Sequence, residues 1–501
     1  MSLPNPQAQA IALNRFGLGT RPDEPPPSKP KDWLLDQIDA FDPKPAAFAA
    51  LPPPGSLAQT YFQEVGELIR RMGTAPTPPA AAMPAAMGDA MAAVAPTATP
   101  APMADEARAK MEKQRRREAL NVEVRDTYRI AVNARMQNVL TTRTPFAERL
   151  ASFWSNHFAL SIEKPQVGIY AADFELNAIR PHVMGRFEDM LVAVEQHPAM
   201  LYYLDQFRSV GPNSSYGMHQ NARRPDRKVG LNENLAREIM ELHTLGVRTG
   251  YAQADVVEFA RTMTGWSVGG LGPMAAKDNV AIGAFMFRPG IHEPGDRKIM
   301  GKRYGQVGEA QARAVLHDLA LSSATARHIS TKLARHFVAD DPPAALVDRM
   351  SEAYLSSRGH LPAVYRTLIE APEAWVPGQP KFKTPWDWTT SALRGLGHKD
   401  LGKMDAAPLL GQLGQAVWRP GSPAGYDDLS ASWAAPDALM RRVELAQRFA
   451  ASAGSDLDAR ELAPKLLGGQ ITPATAAALS QAESGPTALA LLLVSPEFQR
   501  R

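Results

Sequence analysis

Apolar residues recur at helical spacing along most of this chain, and proline-rich turns separate the segments that carry them. Within residues 56–72, for example, Tyr61, Val65 and Leu68 fall on one helical face. Strand signals are weak, and the best of them would pair residues 284–287 with residues 298–304 as one small hairpin. The sequence therefore predicts a mostly α protein, a multi-helical body with at most a small β-hairpin.

Changes in composition divide the chain into four predicted segments. Residues 1–73 form an N-terminal helical segment, residues 105–398 the main helical body that holds the site, and residues 399–501 a C-terminal helical region. Residues 74–104 are almost only Ala, Pro, Met and Thr. Because such a stretch buries few large apolar groups and has too many prolines for a helix, we expect it to be a disordered excursion.

The overall composition excludes several classes of protein. With 55 Lys and Arg against 52 Asp and Glu, the net charge of +3 argues against a nucleic-acid-coating or polybasic membrane-surface protein. The absence of cysteine removes disulfides, thiolate zinc sites, iron–sulfur clusters and a cysteine nucleophile. No apolar run approaches the ~20 residues of a membrane-spanning helix. The first residues lack the basic and apolar regions of a secretory signal, which predicts a cytoplasmic protein.

Residues 232–246 predict a helix with a carboxylate in its apolar seam. Asn232 would be its N-cap and Gly246 its C-terminal glycine, and Glu238 stands in the middle of a leucine stripe. A carboxylate that faces a core is costly unless it is paired or protonated. We therefore expect Glu238 to be largely buried and hydrogen-bonded to a side chain of another helix. Two interpretations remain open, a structural link to an Arg or His and a catalytic or ligand-binding carboxylate.

Two neighbours of Glu238 share its flank of the predicted helix, Asn234 at i−4 and Glu241 at i+3. His243 would lie roughly 160° around the helix from Glu241, so these two side chains could not hold one metal. No HExxH motif and no Glu-x-x-His pair of the di-iron type occurs in the chain. The sequence leaves the metal and any cofactor undetermined.

His157 is the second ionisable residue in an apolar seam. It continues the stripe of Phe146, Leu150 and Phe153 on a helix predicted over residues 145–160. Such a histidine is a satisfied core residue or a ligand. If His157 and Glu238 converge, they could form an acid/base couple with mutually shifted pKa values.

Two further motifs allow both a structural and a functional interpretation. A turn at Pro294-Gly295 would bring His292, Asp296 and Lys298 together, as in a surface turn or a substrate-binding hairpin. The segment 381–388 has two Lys and two Trp before a helix, which suits a carbohydrate-stacking platform or Trp packing between helices.

Three basic residues, His328, Lys332 and His336, stand at i, i+4 and i+8 on one predicted helix. The simplest interpretation of this spacing is a cationic face exposed to solvent.

The candidate residues Asn234, Glu238, Glu241, His157 and His292 lie within segments that resemble a large bacterial family, the domain of unknown function 1800 family. The resemblance rests on residues 12–19, 153–158, 232–246, 250–266, 292–301 and 328–338. Similar members are often extracytoplasmic and are encoded beside proteins of alkaline-phosphatase-like fold. The resemblance therefore implies an extracytoplasmic location as the alternative, and a partner protein of that fold.

The leading functional hypothesis is an enzyme that performs acid/base or hydrolytic chemistry on a polar or sugar-containing substrate. Glu238 would be the general acid or base, Glu241 and Asn234 would orient it, and His157 and His292 would be its partners. The alternative is a non-catalytic binding or assembly protein in which Glu238 and His157 are structural. A cleft at Glu238 favours the enzyme, and a closed core favours the alternative.

Overall fold

The computed structural model describes residues 5–73, 102–226, 228–270, 278–378, 381–453 and 457–501. Residues 74–101, which make up most of the stretch 74–104 predicted to be disordered, therefore lie outside the described residues. A helix begins at Pro102, three residues before the predicted start of the main body.

The mostly α fold is confirmed, and many helices begin as the prolines predict. Proline occupies the first position of α-helices such as those starting at Pro145, Pro165 and Pro385, where its missing N–H costs no hydrogen bond. The first half of the described chain contains α1 (Asn5–Ala10), α2 (Pro30–Asp39), α3 (Pro54–Gly73), α4 (Pro102–Thr141), α5 (Pro145–His157), α6 (Pro165–Asp173), α7 (Phe187–Glu195), α8 (Pro198–Tyr203), α9 (Ser215–Arg223) and α10 (Asn234–Glu238). The second half contains α11 (Gln253–Met263), α12 (Glu309–Ala320), α13 (Ser323–Phe337), α14 (Ala344–Ser356), α15 (Leu361–Glu370), α16 (Pro385–Gly395), α17 (Ala406–Gln412), α18 (Pro436–Ser452), α19 (Ala459–Leu466), α20 (Pro473–Ser480) and α21 (Gly485–Val494).

Within the described ranges, three helices continue into a π-helical turn. These turns are Ile11–Phe16 after α1, Phe174–Ile179 after α6 and Ile239–His243 after α10. A π turn holds one residue more than an α turn, so the residues beyond it are rotated relative to a regular helical wheel. The turn after α10 changes the orientation of the candidate residues described below.

In the part of the chain that the structure describes, the strands form two separate two-stranded antiparallel sheets. β1 (Trp266–Val268) pairs with β2 (Phe285–Phe287), and β3 (Arg297–Ile299) pairs with β4 (Lys302–Tyr304). The predicted pairing of residues 284–287 with 298–304 is therefore wrong. Met300 and Gly301 both have positive φ, 46° and 82°, which closes a two-residue hairpin turn and folds the second segment onto itself.

One continuous hydrophobic core joins the predicted N-terminal, main and C-terminal segments. Phe16 is fully buried at its centre, with its ring 5.9 Å from that of Phe146 on α5, 5.7 Å from Phe337 on α13 and 5.3 Å from Trp375. The N-terminal segment therefore packs directly against the two helices that form the candidate site.

A buried ion pair also fixes the position of α5. Arg180 donates two hydrogen bonds to Glu148, of 2.8 and 2.7 Å, and the two side chains are 1% and 4% exposed. Arg180 also donates to the carbonyls of Asp42 and Pro43. This guanidinium thus links α5 to the chain after α2.

Candidate functional site

Glu238 ends α10 and is half-buried, and its carboxylate makes no hydrogen bond or ion pair with any described residue. Burial raises the pKa of its carboxyl, an effect that the nearby His243 opposes. The expectation of a largely buried Glu238 bonded to another helix is therefore wrong. The leucine stripe that predicted it assumed a regular helix, whereas the π turn Ile239–His243 rotates Leu242 away from the line through Leu235.

The side chains of Asn234 and Glu241 lie near that of Glu238 without a hydrogen bond to it. Asn234 is exposed, and its backbone N–H donates to the side chain of Asn232 at 2.9 Å. Glu241 is half-buried and lies 3.7 Å from Arg237, which also contacts Glu233 at 3.2 Å. These residues form a partly exposed charged row along the helix.

Replacing Glu238 by Gln is expected to leave the free energy of unfolding at pH 7 unchanged or slightly higher. A carboxyl whose pKa is raised by folding destabilises the folded protein once the pH exceeds the pKa of that carboxyl in the unfolded chain. The amide of Gln removes that effect. Urea unfolding at pH 7 measures the change, with Glu241→Gln as the neighbouring control. A loss of ~3–5 kcal/mol, typical of a broken buried charge pair, would contradict this placement of Glu238.

His292 is half-buried and its ring Nδ1 donates to the carbonyl of Thr264 at 2.7 Å. Asp296 instead pairs with Arg303 across the β3–β4 hairpin, and Lys298 is exposed. The three side chains predicted to converge therefore make no hydrogen bond or ion pair with one another.

His157 is buried at the end of α5, as its stripe predicted. Its Nε2 lies 3.2 Å from the carbonyl oxygen of His243, to which it donates, and its Nδ1 is buried without a partner. Burial lowers the pKa of His157 well below 6.5, so the ring is neutral at pH 7. Its described contacts do not include Glu238.

A fully buried pair that the sequence did not indicate lies beside His157. The Nδ1 of His243 is 2.7 Å from Glu195, and both side chains are 0% exposed. His243 and Glu195 are 48 residues apart in the chain, and a π turn directs His243 inward. No local sequence motif therefore signals this pair.

His157 also lines a cavity of about 440 Å³ between α5, α13, the start of α16 and the loop that precedes α18. This cavity is the strongest candidate for a functional site among the described residues, because ionisable groups converge on it. Its charged or ionisable lining residues are Arg135, Arg149, His157, Lys332, Arg335, His336, Asp387, Asp427 and Asp428. Glu238, Glu241, Asn234 and His292 do not line it.

The basic row of α13 faces this part of the interior, so its interpretation as a face exposed to solvent is wrong. The ring Nε2 of His328 donates a hydrogen bond to the carbonyl oxygen of Leu242 at 3.0 Å. Lys332 and His336 follow one and two turns later and line the cavity. The apolar face of α13, with Ile329 and Leu333, is buried as well, so the helix is enclosed on two sides.

His336 is held in one orientation by Asp428. The Nδ1 of its ring is 2.9 Å from Asp428 Oδ2, and its Nε2 is buried without a partner. Burial lowers the pKa of His336 below 6.5, which the charge of Asp428 opposes and that of Arg501 reinforces. The geometry therefore presents a neutral imidazole whose tautomer is set by a carboxylate, with a free lone pair at Nε2.

Lys332 is a cation of the cavity that forms no ion pair with the described carboxylates. Arg149 is paired with Asp387 at 3.0 Å and Arg135 with Glu175 at 3.0 Å. The Lys332 ammonium, in contrast, makes no hydrogen bond or ion pair with any described residue. Burial lowers its pKa to about 8, an effect that the charge of Asp428 opposes. Arg335 donates only to the carbonyl of Asp340 at 3.0 Å. The cavity thus has positive charge that an anionic ligand could neutralise.

The two tryptophans of segment 381–388 pack between other groups. Trp388 is fully buried against Phe449, and the guanidinium of Arg135 lies 4.4 Å from the centre of the Trp386 ring. Of the two interpretations, this favours packing, because Arg135 already covers one face of the ring that reaches the cavity. The Nε1 of Trp386 is a buried donor without a partner.

Across the described ranges, no three His, Asp or Glu side chains converge as ligands for a metal ion. None of the described helices combines the length and the apolar character that crossing a bilayer requires.

The model of one protein family, described as protein of unknown function (DUF1800), matches residues 11–500. This range includes every segment on which the predicted resemblance rests, and the resemblance is thereby confirmed. No curated protein and no solved structure matches the chain.

Proposed function

The chain belongs to the DUF1800 family, and we propose that it is an enzyme that binds a polar, anionic small molecule in the cavity between α5 and α13 and performs acid/base chemistry on it. The observation that supports this most is Lys332, an ammonium group that lines the cavity and forms no ion pair with the described carboxylates. A desolvated cation gains most when a ligand supplies its charge partner.

His336 is the proposed general base. Its Nδ1–H donates to Asp428, so Nε2 can accept a proton from a bound hydroxyl group or from an attacking water molecule. The resulting imidazolium would be stabilised by the Asp428 carboxylate. Lys332, one helical turn away on the same face, would stabilise negative charge on the substrate. This assignment moves the acid/base role from Glu238 to α13.

Lys332→Met is expected to weaken binding of an anionic probe about tenfold or more, since it removes a charge-assisted contact while keeping the side-chain length. Calorimetric titrations with p-nitrophenyl phosphate, p-nitrophenyl glucuronide and mono-p-nitrophenyl succinate measure this. Lys298→Met is the matched control, because Lys298 is exposed on β3. If the Lys332 variant binds all three probes as the wild type does, this site assignment is wrong.

The same probes separate the enzyme from the alternative, a binding protein without turnover. Release of p-nitrophenol supports the enzyme and identifies phosphoryl, glycosyl or acyl transfer. Binding that depends on Lys332 without any release supports the binding protein.

The pH profile of turnover is expected to be bell-shaped. Activity needs a neutral His336, whose pKa lies below 6.5, and a protonated Lys332, whose pKa is about 8. As the pH is increased, the rate should therefore rise at pH values below 6.5, then remain level, and then fall as the pH passes about 8. Measurement of kcat/KM against pH checks this, and Lys332→Met should lose the limb near pH 8.

A further inference from the structure

A second cavity, of about 280 Å³, lies away from the proposed active site. It is formed where the π turn Ile11–Phe16 meets the loop after α19 and residues 496–501. Four basic side chains line it, Arg15, Lys383, Arg500 and Arg501, against one acidic side chain, Glu497. This excess of positive charge is the first indication of an anion site.

Lys383 is the most unusual of these groups, because it is 3% exposed and its ammonium group makes no hydrogen bond or ion pair with any described residue. Its Nζ lies 4.0 Å from the centre of the Phe498 ring, a cation–π contact that compensates little of the cost of desolvation. Burial lowers its pKa to about 7, an effect that the charge of Asp387 opposes and those of Arg149, Arg442 and Arg501 reinforce. A buried cation of this kind is stabilised when an anion occupies the space beside it.

The acidic residue of the cavity is already engaged. Glu497 accepts hydrogen bonds from the backbone N–H of Thr472 and from the hydroxyl of Thr475, both at 2.9 Å. Arg501 is 3.0 Å from Asp387, which lines the first cavity. The charge of Asp387 also acts on Lys383, but this carboxylate is itself paired with Arg149 and Arg501. Neither acidic residue forms an ion pair with the Lys383 ammonium, so a bound anion would supply one.

We propose that this second cavity binds the phosphate group of a small molecule, with Lys383 as its buried anchor and Arg500 as an exposed contact at its edge. A dianion suits several basic groups that converge on a small volume, and the cavity is close to the lower limit of ligand-sized sites. The inference does not depend on the acid/base function, because neither Lys332 nor His336 lines this cavity.

Titration of the purified full-length chain with inorganic phosphate tests the proposal, with sodium chloride at equal ionic strength as the salt control. We expect phosphate to raise the Tm of the wild type and to bind in calorimetry. Lys383→Met is expected to lower the phosphate affinity about tenfold or more and to abolish the rise in Tm. Without phosphate, this variant should melt at or above the wild-type temperature, since it replaces an uncompensated buried cation by an apolar chain of similar length.

Two further variants locate the effect and guard against loss of folding. Arg500→Gln changes an exposed residue and should weaken phosphate binding several-fold without changing the Tm in its absence. Lys332→Met removes the proposed anion contact of the first cavity and should retain the phosphate-dependent rise in Tm, whereas adding Lys383→Met to it should abolish that rise. A rise that persists in this double variant overturns the proposal, as does a wild type that responds to phosphate no more than to chloride. Glycerol 3-phosphate, titrated in parallel, distinguishes a phosphate ester from free phosphate as the preferred ligand.

Discussion

Replacing His336 by Gln is expected to lower kcat/KM for the hydrolysed probe by ~10²–10⁴-fold, the range for the loss of a general base. The glutamine amide can still donate to Asp428, so the local packing survives, but it has no basic nitrogen to accept a proton at the position of Nε2. Because His336 is neutral in the folded protein, the change removes no net charge at pH 7. The expected result is therefore an intact fold with lost turnover.

The chain offers a matched control for this experiment. His317 on α12 has the same kind of partner, with its Nδ1 2.8 Å from Glu188, but it does not line the cavity. His317→Gln should leave kcat/KM within about twofold of the wild type. Equal turnover in the two variants would show that His336 is not the base.

Asp428 is a positioning residue for His336, and its substitution has a distinct signature. Without the carboxylate, the imidazolium of His336 is less stabilised, so Asp428→Asn should move the acidic limb of the pH profile to lower pH in addition to reducing the rate. A purely structural Asp428 would change the stability without moving that limb.

Replacing Glu148 by Ala is expected to cost ~3–5 kcal/mol of unfolding free energy, the range for breaking a buried charge pair. The substitution leaves the guanidinium of Arg180, 1% exposed, without its carboxylate. Urea unfolding followed by circular dichroism measures the loss. Glu148→Ala should also displace α5, and with it the wall of the active-site cavity that contains His157.

Two comparisons separate the charge effect from the loss of packing. The double variant Glu148→Met with Arg180→Met removes both charges together and should recover much of the lost stability. Asp348→Ala breaks the exposed pair of Arg327 and Asp348, whose side chains are 61% and 60% exposed, and should cost at most ~1 kcal/mol. A single Glu148 variant as stable as the Asp348 variant would contradict the burial of this pair.

The sequence determined the helical class, the family and the burial of His157, because each of these depends on residues close together along the chain. Helical periodicity shows which side chains share a face, and the stripe of Phe146, Leu150 and Phe153 was long and regular enough to place His157 inward. The segments 12–19 and 232–246 were specific enough to indicate the family.

Only the tertiary structure decided what each face meets. Periodicity grouped His328, Lys332 and His336 correctly but could not show that their face lines a cavity, because Asp428 and Arg149 come from distant parts of the chain. The π turn Ile239–His243 interrupted the register that predicted a buried Glu238, and it directed His243 towards Glu195 instead. The pairing of the strands was set by the turn at Met300 and Gly301 and by packing, not by strand propensity. A helical wheel describes one element, whereas burial, pairing and pKa depend on the elements that pack around it.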